Sequence, residues 1–394
     1  MLLRNETQHG RGLLRRLTVL VAVPVLILLP PLSGIWLAGR SLDPYLEFPP
    51  RTRSVVHAPF AWLPFLLLGA AIVASLAPFV TCLFRARCKR MLRPVAAFPW
   101  WGTLALGWTV VAWFLAWTRL EWMHPLQPLT FTPLWLGYIV LVNALTFRRL
   151  GRCLLLDRPR YVLALFPLSA VFWWSFEYLN RFTQNWHYVG GGNLSGWEYL
   201  WQATLPFSTV LPAVLGTTEL VGTYPQLIGG LDRFAVLSFG HRGRTGWALV
   251  GAAAGGLVAI GIWPNVFFPL LWMAPLMLIT GLELLQGLPT IFREAERGDW
   301  RRLWSVALAA LICGFFWELW NVRSLAHWEY AIPSVHAFKL FEMPALGYAG
   351  YFPFGLECWA VAHLVLGPIG RGGEGYRGST ETDLAQRNPT VAER

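Results

Sequence analysis

The chain has 394 residues, of which 55% are hydrophobic and only 13% are charged. A soluble protein of this length needs far more charge to cover its surface, and apolar runs of about 20 residues, the length that crosses a bilayer core, recur along the sequence. These numbers exclude an ordinary soluble enzyme and predict an all-α, polytopic transmembrane helix bundle.

The net charge of +11 is compatible with nucleic-acid binding, but its distribution favours a membrane topology. Most of the 32 Lys and Arg residues fall in loops or tails that we place in the cytoplasm, which is the positive-inside pattern. We therefore expect no nucleic-acid partner. The sequence predicts a multi-pass protein of the bacterial cytoplasmic (inner) membrane, with its N- and C-termini in the cytoplasm.

Alternating apolar runs and basic or Pro-rich loops predict about ten membrane helices. Residues 1–160 form an N-terminal region with four of them, at about 17–38, 58–84, 98–118 and 133–147. Residues 161–366 form a six-helix region, with helices from about 161 and at 205–224, 247–263, 267–285, 303–321 and 344–366. The segment GGGNLSGWEYLW reads as an outer loop, and the short fourth or seventh helix is a candidate re-entrant segment. Residues 367–394 are Gly-rich and charged, which predicts a disordered cytoplasmic tail.

Two stretches of the six-helix region, 161–224 and 303–366, share four elements in the same order. An acid and an amide three residues apart come first, a Trp-x-Tyr motif follows nine or ten residues after the acid, and a Pro precedes a second acid by thirteen residues. The matched pairs are Glu177 and Glu318, Asn180 and Asn321, Trp186 and Trp328, Tyr188 and Tyr330, Pro206 and Pro344, and Glu219 and Glu357. This order predicts an internal duplication whose parallel copies are related by an axis along the membrane normal.

The repeated acids are the candidate site. A carboxylate inside a membrane is costly and usually faces a bundle interior or a wet cavity, so it indicates function. Glu and Asn three residues apart share one helix face, which brings the Asn amide within reach of the carboxyl. The predicted catalytic residues are Glu177, Asn180, Glu318, Asn321, Glu219 and Glu357. The structural alternative is that these acids only bridge helices, and that the Trp-x-Tyr motifs are interfacial anchors.

The sequence contains no nucleophile elbow, metalloprotease motif, phosphate-binding loop or dinucleotide fingerprint. The five cysteines lie in membrane segments or on the inner side and have no metal-site spacing. We therefore expect no disulfide, no metal and no cofactor.

Residues 161–366 resemble the small bacterial and archaeal lycopene cyclases. The shared features are the duplication, the aromatic–acid helix FFWELWN, and a Trp-x-Tyr motif followed by a Pro-led helix. The resemblance implies a duplicated membrane protein in which acidic residues protonate an isoprenoid. The Pro-x-Glu-Glu signature of that family is absent, since TLP stands at 204–206 and FEMP at 341–344, so no catalytic residue is carried over. The string FEMPALGYAGYFPFGLE also resembles an uncharacterised bacterial family of polytopic membrane proteins.

Three functions remain open. The first is binding or transformation of a hydrophobic lipid, such as an isoprenoid, by carboxylic acid–base chemistry within the bilayer. The second is proton-coupled transport, in which the same acids relay protons. The third is a non-catalytic membrane scaffold. The expected partner in the first two is a membrane lipid or hydrophobic small molecule.

Overall fold

The computed structural model describes residues 2–86, 94–192 and 194–370, and it describes side chains from residue 12 to residue 367. Cys88 and most of the tail predicted over 367–394 lie outside these ranges. Residues 367–370 belong to the last described helix, which the sequence predicts to end at about residue 366.

The described residues are mainly helical. Their α-helices are α1 (Leu2–Leu37), α2 (Asp43–Leu46), α3 (Trp62–Arg85), α4 (Trp100–Trp117), α5 (Phe131–Leu150), α6 (Leu154–Asp157), α7 (Pro159–Thr183), α8 (Gly196–Phe207), α9 (Val210–Gly222), α10 (Pro225–Ile228), α11 (Arg242–Ile262), α12 (Pro264–Phe267), α13 (Ala274–Leu285), α14 (Arg301–Asn321) and α15 (Tyr351–Gly370). Short 3₁₀ turns include Gln127–Leu129, Phe268–Trp272 and Ala345–Gly350. The strands are β1 (Trp186–Val189), β2 (His327–Tyr330), β3 (Lys339–Leu340) and β4 (Met343–Pro344).

Within the described ranges, eight helical segments are long and apolar enough to cross a membrane. They are Gly12–Leu37, Trp62–Arg85, Gln127–Leu150, Pro159–Thr183, Gly196–Gly222, Arg242–Ile262, Arg301–Asn321 and Ala345–Gly367. Segments Pro264–Trp272 and Ala274–Leu285 form a further candidate that is bent by 55°. The chain is therefore an all-α, multi-pass membrane protein.

The structure changes three details of the predicted helices. The predicted fourth and seventh helices are full-length candidates of 24 and 21 residues, and the bent segment is instead 264–285, which prolines interrupt. The predicted third helix forms as α4, but it is not among the eight candidates, because its Trp-rich sequence lowers its mean hydropathy. The predicted outer loop GGGNLSGWEYLW becomes helical at Gly196.

A capping box explains the early start of α8. The Ser195 hydroxyl accepts a hydrogen bond from the Glu198 amide at 3.3 Å, and the Glu198 carboxylate accepts one from the Ser195 amide at 2.8 Å. These reciprocal bonds satisfy backbone groups that a helix N-terminus otherwise leaves free. The motif Ser-x-x-Glu therefore outweighs the Gly-rich sequence before it.

Four helical segments that carry the repeated acids form the centre of the bundle. Helix α7 packs on α9 and α15, and α14 packs on the same two helices. Helices α1, α11 and α13 pack on one side of this group, whereas α5 packs on α9 with α4 beyond it. Both predicted regions, 1–160 and 161–366, thus contribute to one bundle.

Glycines allow the helices α1, α11 and α13 to pack closely. A Cβ at Gly261 of α11 would collide with the carbonyl oxygen of Pro31 in α1, and one at Gly256 would collide with the Leu270 side chain. A Cβ at Gly255 would meet no atom within 4 Å. Helix α11 therefore approaches its neighbours closely at particular glycines only.

One end of the bundle, here called the strand end, carries the antiparallel pair β1–β2. In this pair Trp186 lies opposite Tyr330, and Tyr188 lies opposite Trp328. The two Trp-x-Tyr motifs, far apart in sequence, are thus direct neighbours. The two motifs run antiparallel, so each Trp lies opposite a Tyr of the other strand.

Residues 47–61, here called the strap, cross the strand end in an extended conformation. The Arg53 amide donates to Oε1 of Gln184 at 2.7 Å, and the Ala61 amide donates to the carbonyl of Ser334 at 2.9 Å. The Arg181 guanidinium donates to the carbonyls of Tyr45 and Glu47. The strap is therefore fixed to the C-terminus of α7 and to the loop after β2.

Candidate functional site

Glu177 is completely buried in α7 and is held by aromatic donors. Its Oε1 accepts hydrogen bonds from Trp173 Nε1 at 2.9 Å, Trp186 Nε1 at 3.1 Å and Tyr188 Oη at 2.6 Å. Trp173 reaches it because residues four apart share a helix face, and the other two donors come from β1. Oε2 is buried and has no hydrogen-bond partner among the residues that the structure describes.

Glu318 occupies the corresponding place in α14 and is also completely buried. Its Oε1 accepts from Tyr330 Oη at 2.7 Å and from Tyr351 Oη at 2.9 Å. Trp328 Nε1 donates to Tyr330 Oη at 2.9 Å, one step further from the carboxyl. As for Glu177, Oε2 of Glu318 is buried without a partner in the described part of the chain.

The two Asn side chains do not bind these carboxyls, which differs from the expectation drawn from their spacing. Asn180 donates from Nδ2 to the carbonyl of Trp186 at 2.8 Å and accepts the Asn185 amide on Oδ1 at 2.7 Å. Asn321 donates to the carbonyl of Trp328 at 2.7 Å and accepts its amide at 2.8 Å. In a two-stranded sheet, alternate residues point their backbone groups away from the partner strand. The Asn residues satisfy those groups and so position the Trp-x-Tyr motifs.

Tyr188 and Tyr330 lie outside the membrane-spanning segments. Burial, and then the charge of Glu177, raise the pKa of the Tyr188 hydroxyl well above its ordinary value. Burial, and then Glu318 and Tyr351, do the same to the pKa of Tyr330. Both hydroxyls therefore stay protonated at neutral pH and act as hydrogen-bond donors to the carboxyls.

Each glutamate and the tyrosines that donate to it are here called a tyrosine–carboxyl unit. A cavity of about 580 Å³ lies beside both units. This volume falls within the range of small-molecule sites. The wall is mainly apolar and rich in aromatic residues, and it contains hydrogen-bonding residues of both units: Trp173, Trp186, Tyr188, Trp328, Tyr330 and Tyr351. Glu177 and Glu318 are not lining residues, so each carboxyl lies behind tyrosines that do line the cavity.

Glu219 lies elsewhere and forms an ion pair. Its carboxylate is 2.9 Å from Arg302 Nη1, and the Arg302 guanidinium lies 5.0 Å from the ring centroid of Trp359. Arg302 is near the start of α14, whereas Glu318 comes sixteen residues later, about 24 Å along the helix at 1.5 Å per residue. The contacts of Glu219 are those of a residue that bridges α9, α14 and α15.

Glu357 is completely buried and supports the bent segment. Its Oε1 accepts from the Leu276 amide at 3.2 Å, in the first turn of α13. Amides in the first turn of a helix have no partner within the helix, and a carboxyl group is favourable there. The structure thus places Glu357 at a helix terminus and not beside Glu318.

No known protein-family model, curated protein or solved structure matches this chain. The geometry of the site is therefore the basis for inferring a function.

Sequence reasoning missed several residues of the site. Trp173, Tyr351 and Trp272 are not among the residues that the sequence predicts for the site, and the Trp-x-Tyr motifs are predicted there only as parts of the repeat or as interfacial anchors. Trp173 has a usable signal, because it precedes Glu177 by one helical turn. Tyr351 has no such sequence signal, because its contact with Glu318 depends on how α14 packs on α15.

The residues that the structure describes contain no group of three His, Cys, Asp or Glu side chains that could hold a metal ion. Cys82, Cys153, Cys313 and Cys358 are free thiols.

His336 lies in the loop between β2 and β3, and its Nδ1 accepts from the Ile332 amide at 3.4 Å. Burial, and then the charge of Lys339, lower the pKa of His336. Glu342 opposes this shift, and His57 adds slightly to it. The neutral imidazole is therefore the form that the folded loop favours.

Proposed function

We propose that this protein binds a hydrophobic lipid of the isoprenoid type in the aromatic cavity and performs an acid–base step on it with two tyrosine–carboxyl units. The observation that carries this proposal is the position of the tyrosines. Tyr188, Tyr330 and Tyr351 line the cavity, and each donates to a buried carboxyl behind it.

The hydrogen bonds define a direction for proton transfer. Each tyrosine hydroxyl donates to Oε1 of its glutamate, so a proton that leaves the ligand would go to the tyrosine oxygen while the tyrosine proton moves to the carboxylate. The reverse transfer starts from the carboxyl protonated on Oε1, which gives its proton to the tyrosine oxygen while the tyrosine hydroxyl proton moves to the ligand. One unit can thus act as a base or an acid, according to its protonation state.

The cavity also suits a ligand that develops positive charge. Aromatic faces attract cations, and the attraction is stronger where water is excluded. Trp173, Trp186, Trp272 and Trp317 are among the lining residues. An acid–base step on an isoprenoid through a carbocation would use both features, in agreement with the resemblance to lycopene cyclases.

The proposed topology has ten crossings, made of the eight candidates, α4 and the bent segment. An even number places both termini on the same side, and the positive-inside pattern puts that side in the bacterial cytoplasm. The strand end then faces outward. The proposed internal duplication is supported by the matched positions of Glu177 and Glu318 and by the antiparallel β1–β2 pair, which a two-fold axis along the membrane normal would generate.

The cavity is tested first. Purification in native lipid nanodiscs, followed by mass spectrometry of retained lipids, should detect an enriched isoprenoid. Gly350 lines the cavity and a Cβ there would meet no atom within 4 Å, so Gly350→Leu should reduce retention without a clash. Gly107, on exposed α4, has equally open surroundings and is not a lining residue, so Gly107→Leu is the matched control.

The acid–base step is tested on host lipids. We expect deletion of the gene to change the isoprenoid profile, and Glu177→Gln or Tyr188→Phe to reduce complementation while lipid retention persists. Retention that is equal in Gly350→Leu and Gly107→Leu would overturn the cavity as the binding site. A host profile unaffected by deletion, by Glu177→Gln and by Tyr188→Phe would overturn the catalytic step and leave a binding protein.

Proton-coupled transport is the second candidate, and the bent segment 264–285 favours it. Transporters often use interrupted helices at their substrate site, and Glu357 contacts the interruption at Leu276. This function predicts that proteoliposomes accumulate a lipid-soluble substrate under a pH gradient and that Glu357→Gln reduces the uptake. Absence of flux under a gradient of either sign would exclude it.

A further inference from the structure

Two polar groups in the cavity wall lack a hydrogen-bond partner. Asn185 and Tyr199 are both lining residues, and Asn185 Oδ1 and Tyr199 Oη are buried without a partner in the part of the chain that the structure describes. The backbone of Asn185 is satisfied, because its amide donates to Asn180 Oδ1 and its carbonyl accepts from the Ala331 amide at 2.8 Å. An unsatisfied buried polar group costs about 1–3 kcal/mol. A ligand group at this place would remove that cost.

The strap brings both residues to the same end of the cavity. The Arg51 guanidinium donates to the carbonyl of Leu194 at 3.0 Å and lies 5.7 Å from the ring centroid of Tyr199. Two residues later, the Arg53 amide donates to Gln184, the neighbour of Asn185. Asn185 and Tyr199 therefore lie under one short piece of the strap, at the strand end.

The composition of the wall favours a neutral polar group. Among the lining residues that the structure describes there is no Asp or Glu. Arg51 is a lining residue, but it is exposed and already donates to the protein backbone, so solvent weakens its attraction for an anion. The carboxyl of Glu177 lies behind Tyr188 and disfavours a second negative charge nearby. A hydroxyl can donate to Asn185 Oδ1 and accept from Tyr199 Oη.

We infer that the ligand is a lipid alcohol whose hydroxyl binds Asn185 and Tyr199 while its hydrocarbon chain fills the aromatic part of the cavity. This inference rests on the proposed lipid-binding function. It adds the chemical class of the ligand and its orientation, with the hydroxyl at the strand end.

The test uses geranylgeraniol, its methyl ether and its monophosphate as labelled probes of the full-length protein in nanodiscs. The ether keeps the chain and loses the donor. One hydrogen bond to an unpaired buried acceptor, at about 1–2 kcal/mol, should make the alcohol bind about 5- to 30-fold more tightly than the ether. Asn185→Leu should bring this ratio close to one while ether binding persists, which also shows that the variant folds. Tyr199→Phe should weaken the binding of alcohol and ether by a similar factor and keep the ratio, because the ether oxygen also accepts from Tyr199.

Gln202→Leu is the matched control, because Gln202 is another lining amide and has no unpartnered buried atom. It should keep the alcohol-to-ether ratio. Equal binding of alcohol and ether by the unmodified protein would overturn the lipid-alcohol assignment alone. Tighter binding of the monophosphate would overturn it in favour of an anionic head at Arg51. No binding of any probe would overturn both this inference and the proposed lipid site.

A second inference concerns the route into the cavity and rests on the packing of α3. This helix has no buried residue, and its Leu68 and Ile72 are lining residues. It is held near its two ends: the rings of Phe65 and Phe338 are 5.4 Å apart at one end, and those of Phe79 and Trp304 are stacked at 5.2 Å at the other.

Between these ends, α3 contacts the 3₁₀ turn Ala345–Gly350. A Cβ at Gly69 would have Leu346 Cδ2, at 3.8 Å, as its only contact within 4 Å in the described chain. Lipid competes for such apolar contacts, because hydrocarbon tails are as apolar as the side chains. The geometry points to a lateral gate at residues 68–72 of α3, through which the proposed lipid ligand enters from the bilayer.

Cross-linking separates gating from binding. Gly69→Cys with Leu346→Cys, joined by a short reducible thiol linker, should slow uptake of labelled geranylgeraniol from vesicles at least tenfold, and reduction should restore it. Affinity at equilibrium should be the same in the linked and in the reduced form of this variant. The control joins Phe79→Cys to Trp304→Cys and should leave the rate unchanged. Unaltered uptake with the first linker, or equal slowing with both, would overturn the gate, whereas absence of uptake without any linker would overturn the lipid site itself.

Discussion

The side-chain amide of Asn321, with its two hydrogen bonds to the Trp328 backbone, is here called the amide clamp. It gives the sharpest test of how the site is supported. Asn321 is completely buried, and both ends of its amide bind the backbone of Trp328, the carbonyl at 2.7 Å and the amide at 2.8 Å. Leu has the same number and branching of side-chain heavy atoms, with larger methyl groups and no polar atom. Asn321→Leu therefore removes both bonds and creates little empty space, so its effect reports the clamp.

The expected loss of unfolding free energy follows from the number of buried backbone groups that Asn321→Leu leaves unpaired. A buried backbone donor or acceptor without a partner costs about 1–3 kcal/mol, so two groups give about 2–6 kcal/mol. Access of water to the half-buried strand moves the value toward the lower limit. We expect the effect to extend to Tyr330, because β2 carries the hydroxyl that donates to Glu318.

The assay is thermal unfolding of the purified protein in one detergent, with retained lipid measured in parallel. Asn180→Leu should behave like Asn321→Leu. The control is Asn265→Leu, since Asn265 is exposed and its bond to His57 lies in solvent; exposed changes of this kind stay within about 0.5 kcal/mol. If Asn321→Leu is as harmless as Asn265→Leu, the clamp does not support the site and the argument is wrong.

Three further predictions concern other supports of the bundle. Glu357→Gln keeps an acceptor for the Leu276 amide and should change stability little, whereas Glu357→Leu should cost about 1–3 kcal/mol in thermal unfolding. Gly261→Leu should abolish the monodisperse peak in size-exclusion chromatography, while Gly255→Leu, in open space, should preserve it. The lowered pKa of His336 means that its contribution to stability is present above the ordinary value of 6.5 and is lost as the pH falls through the folded-state pKa. Hydrogen-exchange protection of Ile332 should therefore fall on acidification, and His336→Leu should remove this pH dependence.

Much of the fold could be predicted because length and charge dominate in a membrane. A run of apolar residues bounded by arginines has few alternatives to a spanning helix, so most predicted helices agree with the structure to within a few residues. The bent segment was missed because prolines near a helix end are also compatible with a simple turn. The start of α8 was missed although the capping box of Ser195 and Glu198 is visible in the sequence.

The candidate site was predictable in position more than in chemistry. Repeated acids in apolar helices identify where a polar cluster lies, and Glu177 and Glu318 do occupy corresponding places. Their partners come from β1 and β2, which pair across a long sequence separation that no local pattern encodes. The spacing of Asn180 suggested a bond to the Glu177 carboxyl. Once β1 and β2 pair, the backbone groups beside β1 are better partners for the Asn180 side-chain amide, and this pairing cannot be seen in the local sequence.

The proposed duplication explains a difference between the two units. Four residues before Glu177 stands Trp173, and four residues before Glu318 stands Gly314. Seven residues after the leading proline of the next helix, the first copy has Ala213 and the second has Tyr351. A Cβ at Gly314 would overlap the Tyr351 ring, so a large residue on one helix requires a small one on the other. The helical aromatic donor therefore comes from α7 itself in the first unit and from α15 in the second, and in both it binds Oε1 of the glutamate. Under the proposed duplication, the donor would have moved from one helix to the other while the hydrogen bond to the carboxyl was kept.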